Sequence, residues 1–383
     1  MIKRRIHLVL MLLWGILAAT AFPHTAQASP FGWQPENKKI WVFVVGLVKF
    51  EHNDVFDNFP TKNRRDADLV RLFKTRGVPA TNIVYLQDKQ AKQAAIGPAL
   101  INLLKKTKAG DTLFLYYEGH GYREENGDKA GFFAAYDTDD DEISGWPIDS
   151  ICPTINKYFK GNRAFLTADC CYSGYLAQTV KKQRGKIAYA CMASSSAREQ
   201  STGNWTFTEC LLDGLNGLPY VDLNGNGSIT IGELADHART EMAMAEEQHA
   251  TFTSSNDFPP DALITKARPK EKAPLGQRVK VKYGDEWLTG RVIAVKSGEY
   301  QVKCIGYDDP ADWFDIDDTS QMRQIRPAKT YKVGSRVEVK WEGDWYAAKV
   351  LKVEGGVHFI HYIEDDSSWD EWVSSRRIRL LKN

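Results

Sequence analysis

The chain has 383 residues, with 50 Lys and Arg against 49 Asp and Glu, so its formal net charge is +1. A balance this even argues against a dedicated nucleic-acid-binding protein, which needs a basic face, and against an acidic disordered protein. The hydrophobic fraction of 43% is ordinary for globular domains. The length predicts two or three domains, and six cysteines are too few for a disulfide scaffold.

Residues 1–28 have the pattern of a secretory signal peptide. Basic residues at 3–5 precede an apolar stretch at 6–21, and Ala26-Gln27-Ala28 offers the small residues that a signal peptidase needs. A membrane anchor is the alternative, but the apolar stretch is short for a span of about 20 residues. We therefore expect cleavage near Ala28, a secreted or periplasmic protein, and no membrane span after the signal is removed.

Residues 38–265 alternate between strand and helix patterns. Apolar, β-branched runs predict strands at 40–47, 82–86, 112–117, 163–168 and 187–192, and helical spacing predicts helices at 65–75, 94–104 and 148–159. This alternation is typical of an α/β domain whose mainly parallel sheet is covered by helices on both faces. Function in such domains gathers where the strands end, which directs attention to residues 118–121 and 169–174.

The third predicted strand runs into His120, and the fourth runs into Cys171. A thiol nucleophile needs a nearby imidazole to take its proton, and flanking glycines let backbone N–H groups approach a substrate carbonyl. Cys170 is the rival nucleophile, but alternation along the strand end points it away from Cys171 and towards the core. The pattern predicts a Cys–His dyad, whereas a lone buried cysteine is usually inert.

The two motifs resemble those of metacaspases and bacterial caspase-like peptidases. Their His motif is similar to Tyr-x-x-Gly-His-Gly and their Cys motif to Asp-x-Cys-x-Ser-Gly. This chain reads Tyr116-Tyr-Glu-Gly-His120-Gly and Asp169-Cys-Cys171-Tyr-Ser-Gly. The His lies 51 residues before the Cys, a separation similar to that in caspases. The resemblance covers about residues 39–250 and implies a caspase-like fold.

The resemblance also implies roles for individual residues. His120 corresponds to the general base and Cys171 to the nucleophile, while Gly121 and Cys171 would supply the oxyanion N–H groups. Asp66 and Asp169 correspond to acids of the first specificity pocket, which implies cleavage after Arg or Lys because carboxylates favour a cation. A non-catalytic, calcium-stabilised scaffold whose C-terminal repeats bind protein is the alternative function.

A basic segment, Lys181-Lys182-Gln183-Arg184, lies between the fourth and fifth predicted strands. Caspase-like enzymes are often cleaved in this region, so an enzyme that prefers Arg or Lys could process itself there. A solvated basic loop is the alternative interpretation.

Residues 222–233 match the twelve-residue EF-hand loop. Oxygen-bearing side chains or carbonyls fall at the ligand positions, and Gly227 provides the sharp turn at position 6; the candidate ligands are Asp222, Asn224, Asn226, Ser228 and Glu233. Because only two of these are charged, we expect weak Ca²⁺ binding. The alternative is a Gly/Asn turn that keeps this shape without metal. No organic cofactor is expected.

A charged linker at 266–274 precedes an internal repeat with a 58-residue offset, in which Gly276-Gln-Arg-Val-Lys-Val is echoed by Gly334-Ser-Arg-Val-Glu-Val. We call residues 275–327 repeat 1 and residues 331–383 repeat 2. Alternating short strands with Gly turns predict two small, SH3-like antiparallel β-barrels.

Repeat 2 resembles Tudor-knot, chromo-barrel and agenet modules, which can hold a methylated cation in an aromatic cage. The resemblance makes Trp345, Tyr362, Trp369 and Trp372 the candidate cage residues. The alternative is that these aromatics fill the core of a small barrel. We expect repeat 2 to bind a protein ligand rather than nucleic acid, because the region from Lys266 has 22 basic and 19 acidic residues.

Overall fold

The computed structural model describes residues 39–61, 64–124, 131–140, 145–269, 275–305, 307, 311–324, 329–354 and 356–381. The predicted signal peptide lies outside the described residues, as does most of the predicted linker. Within the described ranges, no helix is long and apolar enough to cross a membrane.

A six-stranded sheet forms the centre of the N-terminal domain. In chain order its strands are β1 (Ile40–Gly46), β2 (Ile83–Gln87), β3 (Thr112–Glu118), β7 (Arg163–Asp169), β8 (Ala188–Ala193) and β10 (Thr251–Ser255). Their order across the sheet is β10-β8-β7-β3-β1-β2. Five of these strands are parallel, and β10 pairs antiparallel with β8 at one edge. The remaining strands of the domain are β4 (Gly121–Arg123), β5 (Gly131–Phe133), β6 (Trp146–Pro147), β9 (Ser228–Thr230) and β11 (Leu263–Lys266).

In the described part of the N-terminal domain, six α-helices cover the two faces of this sheet. They are α1 (Arg65–Thr75), α2 (Gln93–Leu104), α3 (Ile151–Tyr158), α4 (Gly174–Lys181), α5 (Thr206–Leu215) and α6 (Ile231–Glu241). Apolar residues of α2, α3 and α4 pack in one buried cluster, and those of α1, α5 and α6 pack in a second. The side chains of β1 alternate between the clusters, with Val42 and Val44 in one and Phe43 and Val45 in the other. The central strands are therefore buried on both faces, which explains their uninterrupted apolar runs.

Each repeat folds as a five-stranded antiparallel sheet. Repeat 1 contains β12 (Arg278–Tyr283), β13 (Glu286–Lys296), β14 (Glu299–Cys304), β15 (Asp312–Asp315) and β16 (Met322–Gln324). Repeat 2 contains β17 (Arg336–Trp341), β18 (Asp344–Glu354), β19 (Val357–Tyr362), β20 (Glu371–Ser374) and β21 (Ile378–Leu380). An α/β sheet followed by two small antiparallel sheets confirms the predicted fold class.

The two repeats share one strand order and the same irregularity. In repeat 1 the β13–β14 register shifts between Val292 and Ala294, and in repeat 2 the β18–β19 register shifts between Val350 and Lys352. The shift therefore recurs at the 58-residue offset of the sequence repeat. A β-bulge bends its strand and increases the local twist, so both sheets curl at the same place.

Repeat 1 packs against α6 through a buried ionic contact. The Glu241 carboxylate accepts from the guanidinium of Arg278 and forms an ion pair with Arg291, whose guanidinium also lies over the Tyr220 ring at 4.4 Å. Although burial opposes ionisation, these two guanidinium groups hold the pKa of Glu241 far below its usual range. Repeat 1 is thus attached to the N-terminal domain by buried ion pairs and not by an apolar patch alone.

Candidate active site

The carboxyl ends of the three central strands lie side by side. Gly46 at the end of β1 is the register partner of Glu118 at the end of β3, and Glu118 is the partner of Asp169 at the end of β7. His120 lies two residues after Glu118, and Cys171 lies two residues after Asp169. The parallel register therefore brings the two predicted catalytic residues to one edge of the sheet.

Three carboxylates are buried at this edge, and we call Asp66, Glu118 and Asp169 the acid cluster. None is more than 1% exposed. Asp66 already has partners, because Arg64 forms an ion pair with it at 2.8 Å and the Tyr85 hydroxyl donates to it at 2.7 Å. The structure thus buries both predicted pocket acids and adds Glu118, which the sequence analysis did not assign.

The carboxylates of Glu118 and Asp169 accept fewer hydrogen bonds than that of Asp66. Asp169 Oδ2 accepts from the N–H and the hydroxyl of Thr208, at 3.1 and 2.7 Å, and Glu118 Oε2 accepts from the Tyr116 hydroxyl at 2.6 Å. Glu118 Oε1 and Asp169 Oδ1 are buried without a hydrogen bond of good geometry in the described part of the chain, although the Ser194 hydroxyl lies close enough to Asp169 to lower its pKa. A buried acceptor without a donor is costly, and a cationic group would satisfy both.

Burial and mutual repulsion shift the protonation of these acids. Burial raises the pKa of Asp169 to about 7, although the Thr208 hydrogen bonds oppose that shift. Burial, with the charge of Asp66 close by, raises the pKa of Glu118 well above its ordinary value. The site therefore holds protons at neutral pH that a bound cation would displace.

The His120 ring lies in an aromatic pocket formed by residues 50–59. It stacks on Phe59 with ring centroids 4.5 Å apart, and Phe50 and Phe56 lie within 5.2 Å. Its Nε2 lies 2.8 Å from the carbonyl oxygen of Asp57. An acceptor at this distance assigns the N–H to Nε2 and leaves Nδ1 free to accept a proton. Burial lowers the pKa of His120, so the imidazole is neutral and available as a base.

The Cys171 thiol lies beside the loop that follows β8. The Ser201 N–H donates to Cys171 Sγ at 3.2 Å, and the thiol lies 3.6 Å from the Ser201 carbonyl. Burial raises the pKa of Cys171, an effect that the Ser201 N–H opposes. Among the described residues, no hydrogen bond joins Cys171 to His120, so the predicted dyad stays a prediction.

The backbone around Cys171 is tightly packed. A Cβ added to Gly121 would overlap the carbonyl oxygen of Cys171, so only glycine fits there. Tyr172, directly after the thiol, adopts the left-handed conformation with φ +57°, which is strained for a non-glycine residue. The two predicted oxyanion residues, Gly121 and Cys171, are therefore in direct backbone contact.

The side chain of Cys170 lies in the core and away from the Cys171 thiol, as alternation along the strand end predicts. It is 3% exposed and packs in the apolar cluster with Leu166 and Leu176, and burial raises its pKa well above its ordinary value. None of the six cysteines forms a disulfide, and only Cys171 is not fully buried. Cys170 is therefore a core residue.

The segment 222–233 folds as a compact polar loop. The Asp222 carboxylate accepts from the N–H groups of Asn226 and Gly227, and the Asn226 side chain accepts from Ser228 N–H at 2.9 Å. Glu233 forms a capping box with Thr230 at the start of α6. In the described residues, no group of three or more His, Cys, Asp and Glu side chains could hold a metal ion. The loop offers mainly neutral oxygens, together with the carboxylates at its two ends.

The four predicted cage aromatics do not gather in one place. Trp372 packs against Ala243 of the N-terminal domain, and Trp345 lies under the guanidinium of Arg379 at 4.0 Å. Tyr362 and Trp369 line one small cavity. Trp341, which the sequence analysis did not include, lines that cavity as well.

Comparison with known proteins identifies two families. A model described as "Caspase domain" matches residues 45–260, and the Tudor-knot model, described as "RNA binding activity-knot of a chromodomain", matches residues 331–380. These matches confirm the resemblance of both parts of the chain. Because the second description names RNA binding, the expectation that repeat 2 avoids nucleic acid stays a prediction.

Individual relatives are more distant. Metacaspase-7 of Arabidopsis thaliana is 34% identical over 95 residues, which cover 24% of this chain and 23% of that protein. A solved structure from Geobacter sulfurreducens is 17% identical, with 60% of this chain and 97% of that chain covered at a TM-score of 0.44. The Drosophila initiator caspase Dronc is 11% identical, with 60% and 82% covered at a TM-score of 0.35. Since the caspase-domain match spans more than half of the residues, the chain belongs to the caspase-domain family.

Proposed function

We propose that the chain is a secreted cysteine endopeptidase that cleaves after Arg or Lys. The single observation that supports it most strongly is the register of β3 with β7, because Glu118 opposite Asp169 brings His120 and Cys171 to one sheet edge. An inert scaffold needs neither a free, partly exposed thiol nor a neutral imidazole oriented by a backbone carbonyl.

In the proposed reaction, Nδ1 of His120 takes the proton of the Cys171 thiol. The sulfur then attacks the substrate carbonyl carbon, and the N–H groups of Gly121 and Cys171 stabilise the oxyanion. When the C–N bond breaks, the imidazolium returns the proton to the leaving amine. Water, activated by the same imidazole, then hydrolyses the thioester and frees the thiol.

The acid cluster supports the preference for a basic P1 residue. Arg64 neutralises Asp66, so the carboxylates available to a substrate cation are Glu118 and Asp169, each with an oxygen that lacks a donor. A Lys or Arg side chain would supply those donors and displace the protons that burial retains there.

Calcium binding at residues 222–233 is a secondary part of the proposal. The loop has the EF-hand spacing and its side-chain oxygens already turn inward to accept backbone N–H groups. Asp222, Asn224, Asn226, Ser228 and Glu233 would hold the ion, whose hard charge these oxygen donors suit. Calcium would then stabilise the start of α6. Secretion, and self-processing at Lys181–Arg184, are proposals that rest on the sequence alone.

The test is the hydrolysis of fluorogenic peptides ending in Arg, Lys or Asp, with and without Ca²⁺. We expect turnover of the basic peptides by the wild-type protein, none by Cys171→Ala, and nearly normal turnover by Cys170→Ala. Absence of turnover with every peptide would favour the non-catalytic scaffold. Preference for Asp would refute the role of the acid cluster.

A protein ligand of repeat 2 is proposed on family resemblance. The Tudor-knot description introduces RNA as a competing ligand. Fluorescence anisotropy of a labelled RNA oligonucleotide at two salt concentrations distinguishes them, because phosphate contacts weaken steeply as salt rises. No binding at low salt would support the prediction that nucleic acid is not a partner.

A further inference from the structure

A short segment of the N-terminal domain, residues 196–201, lies between the nucleophile and repeat 2. On one side it holds the nucleophile loop, because Tyr172 N–H donates to the Glu199 carbonyl at 2.9 Å and Ser201 N–H donates to Cys171 Sγ at 3.2 Å. A Cβ on Gly174 would overlap the backbone of Ser196 and Ala197. The position of the thiol is thus fixed by the 196–201 segment.

On its other side the segment lies beside Trp341, Tyr362 and Trp369 of repeat 2, which we call the aromatic wall. The guanidinium of Arg198 lies over the Trp369 ring, 3.5 Å from its centroid. Trp341 and Tyr362 line the same cavity, whose volume is about 40 Å³. That space holds about one water, so no second cationic side chain fits beside Arg198. An aromatic wall with a carboxylate close by is the surface that attracts a cation.

Buried polar groups lie on both sides of this contact. In repeat 2, Glu371 accepts two hydrogen bonds from Arg377, at 2.8 and 2.7 Å, and one from the Tyr362 hydroxyl at 2.6 Å. In the N-terminal domain, Glu199 accepts from the His249 backbone N–H at 3.3 Å. Burial and the negative charge of Glu371 raise the pKa of Glu199 to about 7. These hydrogen bonds hold each side of the contact in place, and the stacking of Arg198 on Trp369 joins the two sides.

An apolar patch and a shared cavity complete the contact. Val357 and Trp372 of repeat 2 are buried with Ala243 of the N-terminal domain. A larger cavity of about 570 Å³ is lined by Tyr172 on one side and by Lys340 and Trp341 on the other. Repeat 2 therefore forms one wall of a cavity whose opposite wall includes Tyr172, the residue directly after Cys171.

We propose that the aromatic wall of repeat 2 is a guanidinium receptor whose ligand is Arg198 of the same chain, and that this contact positions Cys171. Arg198 and Trp369 are then positioning residues, which act on the thiol through the 196–201 segment and do not touch substrate. The expected effect on catalysis rests on the proposed peptidase function, but the contact between Arg198 and Trp369 can be tested without that function. Arg198 must also move off the Trp369 ring before that ring can bind a cation from another molecule.

The test is a double-mutant cycle on the full chain with Arg198→Ala, Trp369→Ala and both together. The primary measurement is hydrogen exchange of the Tyr172 and Ser201 amides, which does not depend on activity. A partly exposed cation–π contact corresponds to roughly a two- to fivefold change in exchange rate. We expect each single variant to show that change and the double variant to show no more than either.

Matched controls separate this contact from general damage to repeat 2. Arg379→Ala removes a guanidinium from the Trp345 ring within the same repeat and should leave both amides unchanged. Trp369→Phe keeps a ring and should restore most of the protection. Additive effects in the double variant, or unchanged exchange in either single variant, would overturn the proposal.

Activity provides a second, separable measurement. If the wild-type protein cleaves basic peptides, kcat should fall in Arg198→Ala and Trp369→Ala by a similar factor while KM changes little. If no peptide is cleaved, the peptidase proposal fails, yet the exchange cycle still decides whether the contact exists. A fall in kcat for Arg379→Ala equal to that for Arg198→Ala would refute positioning.

Discussion

Glu118 and Asp169 are register partners at the ends of adjacent parallel strands, and both carboxyl groups are buried. Burial raises the pKa of Asp169 to about 7 from an ordinary 3.8. An acid whose folded-state pKa is raised gives stability that is complete below its unfolded pKa and is lost as the pH rises through its folded pKa. We therefore expect the Asp169 contribution to disappear between pH 4 and about 7.

Asp169→Asn tests this prediction, because the amide oxygen can still accept from Thr208. Three pKa units correspond to about 4 kcal/mol at most. Urea unfolding at pH 5 and pH 8 should show a smaller loss of stability in the variant than in the wild-type protein. Thr208→Val removes a donor but keeps the carboxylate, so it should retain the wild-type direction of the pH dependence. Equal pH dependence in Asp169→Asn would contradict the assigned pKa.

Gly121→Ala should abolish peptidase activity. The added Cβ would overlap the Cys171 carbonyl and displace the backbone that carries the proposed oxyanion donors. Losing one such donor costs roughly 100- to 1000-fold in kcat. Gly97→Ala is the matched control, because its Cβ would meet nothing within 4 Å inside α2 and alanine favours a helix. A Gly121→Ala enzyme with normal kcat would exclude Gly121 from the site.

Calcium should raise the thermal midpoint of the wild-type protein but not that of Asp222→Ala. In Glu233→Gln the amide can keep the capping box with Thr230, so the helix start survives while one of the two charged ligands is lost. We expect its midpoint without calcium to fall slightly, because the Asn224 N–H loses its acceptor Oε1, and its response to millimolar Ca²⁺ to shrink. A full response in both variants would show that calcium binds elsewhere.

Glu241→Gln should loosen repeat 1 from α6. Removing one partner of a buried ion pair costs roughly 3–5 kcal/mol, because Arg278 and Arg291 would be left without their counter-charge. The pKa of Glu241 is lowered in the folded protein, so its stabilisation is present above its ordinary pKa and is lost as the pH falls. The free energy of unfolding should therefore fall more steeply with decreasing pH in the wild-type protein than in Glu241→Gln. Acid unfolding monitored by tryptophan fluorescence should nevertheless begin at a higher pH in the variant, because the variant is already weakened at neutral pH. An unchanged unfolding free energy in Glu241→Gln at pH 7 would refute the anchor.

The sequence predicted the central sheet well because its strands are buried on both faces. The apolar runs at 112–117 and 163–168 fall within β3 and β7, and α1 has the predicted limits, Arg65–Thr75. Short strands were missed, among them β10 at Thr251–Ser255. Its pattern of Thr, Phe and Ser is half-buried at a sheet edge and lacks the apolar run that reveals a central strand.

The sequence predicted the candidate catalytic residues but not the residues that surround them. Motif spacing made His120 and Cys171 the predicted dyad, because each closely follows a strand, and that assignment stays a prediction. Glu118 was overlooked although it stands two residues before His120, and only its register with Asp169 gives it a role. The contact of Arg198 with Trp369 joins residues 171 positions apart, and no local pattern encodes such a pairing.

The β-bulge that recurs in both repeats shows them to be copies of one duplicated unit. The two copies contact the N-terminal domain through different residues. Repeat 1 places Arg278 and Arg291 on Glu241, whereas repeat 2 places Trp369 under Arg198 and Trp372 beside Ala243. Because one sheet architecture is attached in two different ways, folding of the sheet does not depend on either set of contacts, and the contact with the 196–201 segment can be removed while the sheet remains.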